Sequence, residues 1–409
     1  MKIFIFIFFL VPITLFGQIL EKGFAFKRGR QKSVSIPFKM VNNLIIIPMF
    51  INGSDTMRFI LDTGVESVLI TELTQRDSLN LLYVRKINIR GLGLGEEIEA
   101  YQSYGNNFEF SDIVGKNIDM LILKQDIFFL SSKLGMEVHG LIGYDIFKSF
   151  IVEIDYDKQL LTLHNPAKVK RKKLKGVAFP LSIENTKPYL HASITQDDSS
   201  QIAVKLIIDT GASHSISLDK TDSSLIKIPL QTIESYLGKG LSGDIKGKIG
   251  RILALKLANF QLKDIAASYP DEIYTKNVAG VGHRNGNLGA DVLKRFHVIF
   301  DYQSKQLLLR PSQQFKKPFN YNMSGLDIGT PLPGLPLYVI ADVSTHSPAH
   351  EAGLKQNDQI ITIDGTNVSQ YTLNDILELF QSKPGKKIKL TVMRNATTVK
   401  AIIILKRPI

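Results

Sequence analysis

Residues 59–64 read Phe-Ile-Leu-Asp-Thr-Gly, and residues 206–211 read Leu-Ile-Ile-Asp-Thr-Gly, 147 positions further along the chain. In each segment three apolar residues predict a short strand, and the Asp-Thr-Gly that follows suits a tight turn. One such tripeptide could arise by chance. Two of them at matching places indicate a repeated unit that delivers one carboxyl group from each copy, Asp62 and Asp209.

Further matching segments extend the repeat. The glycine-rich residues 91–95 match residues 238–243 at the same spacing, and residues 141–150 match residues 287–296 with one residue lost in between. Both copies are rich in short apolar or alternating runs and poor in long helical patterns. The sequence therefore predicts a mainly β fold with two closed lobes related by a pseudo-twofold axis, followed by a different C-terminal part.

Two turns related by such an axis would bring Asp62 and Asp209 together. Neighbouring carboxyl groups share a proton, so that one can act as a general base on a water while the other donates a hydrogen bond to a substrate carbonyl. The adjacent threonine hydroxyls can bond across the axis, and the glycines allow backbone N–H groups to approach the carboxyl groups. These supporting residues are Thr63, Gly64, Thr210 and Gly211.

This combination resembles the aspartic proteases, in which each half carries an Asp-Thr-Gly and a later apolar-apolar-Gly element. The later element matches residues 141–143 and 288–289. The resemblance implies hydrolysis of peptide bonds by a water that Asp62 and Asp209 activate, with no metal and no cofactor. Because one chain carries both motifs, a monomer is sufficient for the pair.

The resemblance also predicts two flaps, the hairpins that close over a bound peptide in this family. Glycine-rich segments lie about 30 residues after each aspartate, where a retropepsin-like subunit has its flap. Both copies have one, so the chain resembles two retropepsin-like units fused together rather than a pepsin-like enzyme with a single flap. The candidate flap residues are Gly91, Gly93, Gly95, Gly238, Gly240 and Gly243.

The residues after the two Asp-Thr-Gly motifs bear on the working pH. Val65 and Ala212 stand where many pepsin-like enzymes have a hydroxyl group that bonds to the catalytic carboxyl group. Without it, we expect the pair to work at mildly acidic to near-neutral pH. Glu66 comes next, and it would oppose ionisation of the pair if it pointed inward but not if it pointed to solvent.

The C-terminal part carries a second resemblance. Residues 347–354 read Ser-Pro-Ala-His-Glu-Ala-Gly-Leu, and residues 358–365 read Asp-Gln-Ile-Ile-Thr-Ile-Asp-Gly. These segments resemble a bacterial PDZ domain, a small α+β domain, and residues 373–380 have the helical spacing of its longer helix. The resemblance implies that a loop before a strand binds a peptide C-terminus. The best matches to that loop are Ser324, Gly325 and Leu326.

The N-terminus predicts export. Lys2 precedes the apolar residues 3–16, a run too short for the about 20 residues that cross a bilayer but typical of a secretory signal peptide. We therefore expect a periplasmic or extracellular protein. The predicted organisation is a signal peptide (1–17), a first protease lobe (18–165), a basic linker (166–175), a second lobe (176–312), a linker (313–322) and a PDZ domain (323–409).

Composition narrows the remaining possibilities. The chain has no cysteine, which excludes disulfides and thiolate catalysis, and the formal net charge is +12. Charge alone permits an anionic partner, but no aromatic stacking pattern accompanies it, so no nucleic acid is expected. The expected partners are a peptide or protein substrate and a C-terminal peptide at the PDZ module. The alternative is a peptide-binding or scaffold protein that has the protease fold but does not cut.

Overall fold

The structure is a computed structural model, and the sequence-predicted signal peptide and the flap candidates Gly91 and Gly93 lie outside the residues it describes. Across the described part of the chain, no helix is long and apolar enough to cross a bilayer. The described residues are 22–74, 79–90, 95–220, 225–279 and 284–409.

The first repeat forms a closed β barrel. Its strands are β1 Gly23–Phe26, β2 Ser33–Pro37, β3 Lys39–Val41, β4 Leu44–Ile51, β5 Met57–Leu61, β6 Val68–Ile70, β7 Val84–Ile89, β8 Ile98–Phe110, β9 Ile113–Leu123, β10 Gly140–Ile142, β11 Ile151–Asp155 and β12 Leu160–His164. Two short helices, α1 Leu130–Leu134 and α2 Tyr144–Ser149, accompany them. The barrel runs β9-β6-β10-β5-β4-β8, and pairing of β8 with β9 closes it.

The second repeat forms a barrel with the same connectivity. Its strands are β13 Val177–Pro180, β14 Ser182–Glu184, β15 Lys187–Thr195, β16 Gln201–Ile208, β17 Ile216–Leu218, β18 Ile233–Gly240, β19 Gly243–Leu257, β20 Phe260–Pro270, β21 Gly286–Leu288, β22 Phe296–Asp301 and β23 Gln306–Pro311. Its helices are α3 Glu272–Ala279 and α4 Ala290–Leu293. The ring β20-β17-β21-β16-β15-β19 matches the first barrel strand for strand, with β15 and β19 closing it.

Local sequence explains why these strands form. In β4 and β5, apolar side chains fill the barrel interior, and Ile47, Met49 and Phe59 are fully buried. The chain reverses between the two strands at Asn52 and Gly53, whose φ angles of 49° and 78° lie in the left-handed region that these residue types tolerate. The turn residues and the apolar pattern of the strands therefore both favour the antiparallel pairing of β4 with β5.

A third sheet joins the lobes, and each lobe gives three strands to it. Its order is β13-β23-β22-β11-β12-β2, so the antiparallel pair β11–β22 lies at the boundary between the lobes. The basic segment between the repeats contains a 3-10 helix at Arg171–Lys173 and packs Val169 and Leu174 against one face of this sheet. Continuous hydrogen bonding through this sheet fixes the relative position of the two lobes.

The C-terminal module has its own core. Its elements are β24 Leu326–Gly329, β25 Tyr338–Val343, α5 Pro348–Glu351, β26 Gln359–Ile363, β27 Thr366–Asn367, a 3-10 helix Val368–Gln370, α6 Leu373–Phe380, β28 Lys387–Arg394 and β29 Thr397–Ile404. The helix α6 begins at a capping box formed by Thr372 and Asp375. It buries Leu373, Ile376 and Phe380, which lie on one face at helical spacing.

The C-terminal module packs on both lobes. The Thr330 N–H donates to the carbonyl of Ser132 at 3.1 Å, and the Ser132 hydroxyl donates to the carbonyl of Thr330 at 2.6 Å. On the other lobe, Arg251 Nε lies 3.3 Å from the backbone oxygen of Ile409. The module is thus attached through α1 of the first lobe and β19 of the second.

The segment that precedes the module is also anchored. Arg295 is 2% exposed, and its guanidinium donates to the carbonyls of Gln314 at 3.0 Å and Pro318 at 3.1 Å. The same guanidinium lies 3.6 Å from the ring centroid of Phe319. Residues 313–322, which composition predicts to be a linker, are therefore held against the second lobe, with the buried guanidinium of Arg295 binding two of their carbonyls.

Charged side chains reinforce the boundary between the lobes. Glu153 on β11 lies 2.6 Å from Nε2 of His164 on β12 and 2.6 Å from Nε2 of His297 on β22. Hydrogen bonds from His164 and then His297 lower the pKa of Glu153 from 4.5 to about 2. The ionised carboxylate therefore stabilises the fold above the ordinary pKa of glutamate, and this contribution is lost as the pH falls through about 2.

We expect Glu153→Gln to lower the melting temperature by about 3 °C near neutral pH and to lose this effect progressively below a pH of about 4.5. Thermal unfolding of parent and variant across the acidic range measures the difference. The matched control is Glu137→Gln, because Glu137 makes an exposed ion pair with Arg58 at 3.2 Å. A Glu153 variant that behaves like the Glu137 variant would contradict the expectation.

Candidate active site

The two aspartates lie at the ends of matching strands. Asp62 follows β5 and Asp209 follows β16, and each backbone N–H is bound by the strand that passes behind the turn. The N–H of Asp62 donates to the carbonyl of Ile142 at 2.8 Å, and that of Asp209 donates to the carbonyl of Leu288 at 2.9 Å. The strands β10 and β21 therefore hold the turns in place.

Thr63 and Thr210 join the turns across the pseudo-twofold axis. The N–H of each donates to the hydroxyl of the other at 3.0 Å. In turn, the Thr63 hydroxyl donates to the carbonyl of Ile208 at 2.6 Å, and the Thr210 hydroxyl donates to the carbonyl of Leu61 at 2.7 Å. Both threonines are buried, so these four bonds lie away from competing water.

The glycines bring the carboxyl groups together. The N–H of Gly64 donates to Oδ1 of Asp62 at 2.6 Å, and the N–H of Gly211 donates to Oδ1 of Asp209 at 3.1 Å. A Cβ on Gly64 would lie 3.0 Å from Asp62 Oδ1 and 3.4 Å from Asp209 Oδ1, while one on Gly211 would lie 2.2 Å from Asp62 Cγ. Only glycine permits this approach of two turns and two carboxyl groups.

The surroundings of Asp62 and Asp209 favour a state in which the two carboxyl groups share one proton. Burial raises the pKa of Asp62 well above its ordinary range, and the charge of Asp209 and a hydrogen bond with that carboxyl group act in the same direction. The Gly64 N–H and the charge of Lys187 oppose the increase. These effects together favour the neutral form of Asp62.

Two hairpins, one from each unit, are the predicted flaps. Flap 1 is the β7–β8 hairpin with Gly95 near its tip, and flap 2 is the β18–β19 hairpin, in which Gly240 pairs with Gly243 around the turn. The N–H of Gly95 donates to the carbonyl of Ser242 at 2.5 Å, so the two flaps meet. Leu241 at the tip of flap 2 packs into an apolar cluster of the first lobe. Gly238 lies at a bulge within β18 rather than at the tip.

Family models match both halves of this arrangement. Residues 47–146 and 192–292 match an aspartyl protease family, and residues 339–394 match the PDZ domains. The chain is built from two aspartyl protease units and a PDZ domain. The family and the fold indicate a protease-type function.

Among solved structures, the chain is similar to an aspartic proteinase from Irpex lacteus. The two share 11% identity over 70% of this chain and 100% of that one, with a TM-score of 0.46. A search of curated proteins found no match.

The protease units are not equivalent at the dyad. Asn287 Nδ2 donates to Oδ2 of Asp209 at 3.0 Å, whereas the matching residue of the first unit is the apolar Leu141. The sequence analysis did not single out Asn287. The sequence contains one sign of its role, because Asn287 is a polar residue where the first unit has an apolar one. Glu66 is exposed, so it points to solvent rather than toward the pair.

The predicted carboxylate-binding loop of the PDZ domain is internally bonded. The N–H groups of Ser324 and Gly325 donate to Oδ1 of Asn322 at 3.0 and 3.3 Å, and the N–H of Leu326 donates to the hydroxyl of Ser324 at 3.0 Å. Asp327 accepts a hydrogen bond from the N–H of Ile328. Donors that a PDZ domain would offer to a peptide C-terminus are thus engaged by neighbouring side chains.

The threonine bonds give a direct prediction. Thr210→Val removes a buried donor and a buried acceptor at once, so we expect it to destabilise the protein by about 2 to 4 kcal/mol. Thr210→Ser keeps the hydroxyl and should cost about 1 kcal/mol. Denaturant unfolding followed by tyrosine fluorescence measures both, since the chain has 13 tyrosines and no tryptophan. Equal stability of the two variants would show that the cross-axis bonds contribute little.

Proposed function

We propose that the protein is an exported aspartic endopeptidase that hydrolyses peptide bonds with the dyad Asp62 and Asp209. One observation carries the proposal: two Asp-Thr-Gly turns meet at a pseudo-twofold axis, with both carboxyl groups beside Gly64. Four buried threonine hydrogen bonds hold them there. Such fixed geometry is what acid–base catalysis on a shared water requires.

The chemistry follows from one proton on the pair. The ionised carboxylate takes a proton from water as the water oxygen bonds to the scissile carbonyl carbon. The protonated carboxyl group gives its proton to the carbonyl oxygen, which produces a neutral tetrahedral diol. The first carboxyl group then passes its proton to the amide nitrogen while the second carboxylate takes a proton from a diol hydroxyl. The C–N bond breaks, the amine and the carboxylic acid leave, and the pair returns to its starting charge.

The flaps supply binding and exclusion of water. Flap 2 places Leu241 against an apolar cluster that includes Leu69 and Leu123 of the first unit, close to where a substrate side chain would lie. Contact between Gly95 and Ser242 closes the cleft, so a substrate has to separate the flaps before it binds. We expect apolar residues next to the scissile bond to be preferred.

The PDZ domain is proposed to recruit a peptide or a partner. Its edge strand β24 pairs with β25, and both α6 and α1 of the first lobe contact it. A peptide recruited to this domain would add to the sheet at this edge, next to α1. Export rests on the predicted signal peptide, residues 1–17, and places the proposed activity in the periplasm or outside the cell.

The proposed activity predicts cleavage that depends on both aspartates. The purified protein should cut an unbiased peptide mixture at mildly acidic to near-neutral pH, and Asp62→Asn or Asp209→Asn should lower the rate by about a thousandfold or more. Mass spectrometry of the products measures rate and specificity together. If parent and variants were equally silent, the peptide-binding alternative would take precedence, and binding of a pepstatin-type inhibitor would test whether the dyad is formed.

The internal bonds of the PDZ loop predict an unusual ligand preference. Because these N–H groups are already engaged, a random peptide library should bind with less than about a threefold difference between free C-termini and amidated ones. Asn322→Ala releases the N–H groups of Ser324 and Gly325 and should increase the preference for free acids. Fluorescence anisotropy measures both, and a tenfold preference for free acids by the parent would refute the interpretation.

A further inference from the structure

We propose that Asn287 assigns the two carboxyl groups different tasks, holding Asp209 as the ionised base and leaving Asp62 as the acid. The proposal rests on the proposed function and deepens it. The Asp-Thr-Gly motif is the same in both units, whereas the side chains around the two aspartates differ.

The hydrogen bonds to the two carboxyl groups differ. Asp209 accepts a bond at each oxygen, from Gly211 N–H at 3.1 Å and from Asn287 Nδ2 at 3.0 Å. Asp62 accepts one at Oδ1, from Gly64 N–H at 2.6 Å. The first unit has Leu141 at the position of Asn287, and a leucine side chain has nothing to donate. Donors stabilise the ionised form of a carboxyl group, so the charge is drawn to Asp209.

The placement of Asn287 follows from the fold. Strand β21 runs parallel to β16, with Asn287 opposite Ile207, and the next residue, Leu288, is fully buried in the barrel. Side chains alternate along a strand, so position 287 projects to the other face. Position 141 of β10 is opposite Ile60 in the same way. The two positions are equivalent, and only their side chains differ.

Other charged groups near the dyad do not reverse this assignment. Burial lowers the pKa of His214, which favours its neutral form despite the charges of Asp209 and Asp291. The charge of Lys187 acts on Asp62 but is outweighed there by burial. Burial likewise raises the pKa of Tyr302, so its hydroxyl stays neutral. The amide of Asn287 is therefore the neutral donor that distinguishes the two carboxyl groups.

This assignment gives each proton a place. Asp209 takes the proton of the attacking water and later delivers it to the leaving nitrogen. Asp62 protonates the substrate carbonyl oxygen and takes a proton back from a diol hydroxyl as the C–N bond breaks. Asn287 touches neither substrate nor water in this scheme, so it is a positioning residue. Asn287 also supplies a hydrogen bond to the carboxyl group of Asp209, as a hydroxyl group at position 212 would do if that residue were not alanine.

The test is the pH dependence of kcat/KM for Asn287→Leu, which copies the residue of the first unit. Loss of the amide makes the first ionisation of the dyad harder. The acid limb of the pH profile should therefore move up by about one pH unit, which is a tenfold loss of kcat/KM at pH values below that limb. A merely structural role would lower the rate by one factor at every pH. An unmoved acid limb, or such a uniform loss, would overturn the proposal.

The reciprocal variant keeps the test decisive if Asn287→Leu fails to fold. Leu141→Asn gives Asp62 an amide of its own, which eases the second ionisation, so the basic limb should move down by about one pH unit. Transfer of the amide in the double variant, Leu141→Asn with Asn287→Leu, should restore an acid limb near that of the parent. A basic limb that does not respond to Leu141→Asn would refute the role of an amide at this position.

A titration that does not depend on catalysis distinguishes the role of Asn287 from the proposed function. Carboxyl carbon NMR of aspartate-labelled protein follows the dyad directly, with Asp62→Asn and Asp209→Asn to assign the signals. If the parent cleaves no peptide, the endopeptidase proposal fails. Asn287 is still tested, because Asn287→Leu should move the first titration of the dyad up by about one pH unit. No movement in this titration would overturn the role of Asn287 alone.

Discussion

The hydrogen bonds between Thr63 and Thr210 are the constraint on which the rest of the site depends. They fix the separation of two turns that belong to different barrels, with four bonds in a region that water does not reach. If that separation changed by an ångström, the carboxyl groups could no longer share a proton. The six-stranded sheet and the contact between the flaps also join the two units, so they support the same relative position of the two turns.

Fusion of two units into one chain allows them to differ. Two identical subunits would place the same side chain at positions 141 and 287, and the dyad would then be symmetric on average. Here a leucine stands on one side and an asparagine on the other, so the asymmetry is built into the free enzyme before a substrate arrives. The PDZ domain adds a second asymmetry, because α1 of the first unit contacts strand β24 of this domain.

Much of this architecture could be predicted from local patterns. The repeated Asp-Thr-Gly motifs, the apolar strands before them and the glycine-rich hairpins are encoded in short segments, and α6 begins and ends at the residues that its spacing indicates. The bond from Asn287 to Asp209 could not be predicted, since it depends on β21 passing behind a turn 78 residues earlier in the chain. The bonds from the PDZ loop to Asn322 could not be predicted for a similar reason, because the loop motif itself contains no sign that Asn322 accepts from its N–H groups.

The segment before the PDZ domain illustrates the limit of composition. Proline, lysine and glutamine indicate a loose connection, yet Arg295 gathers the carbonyls of this segment around one buried guanidinium. A loose tether would present a captured peptide to the cleft at an effective concentration set by its length. Because this segment is held in place, the distance between the PDZ domain and the cleft is fixed by the structure instead. Under the proposed function, a peptide bound at β24 would enter the cleft only if its own span matched the distance between the two sites, and the rigid connection would then select substrates by length.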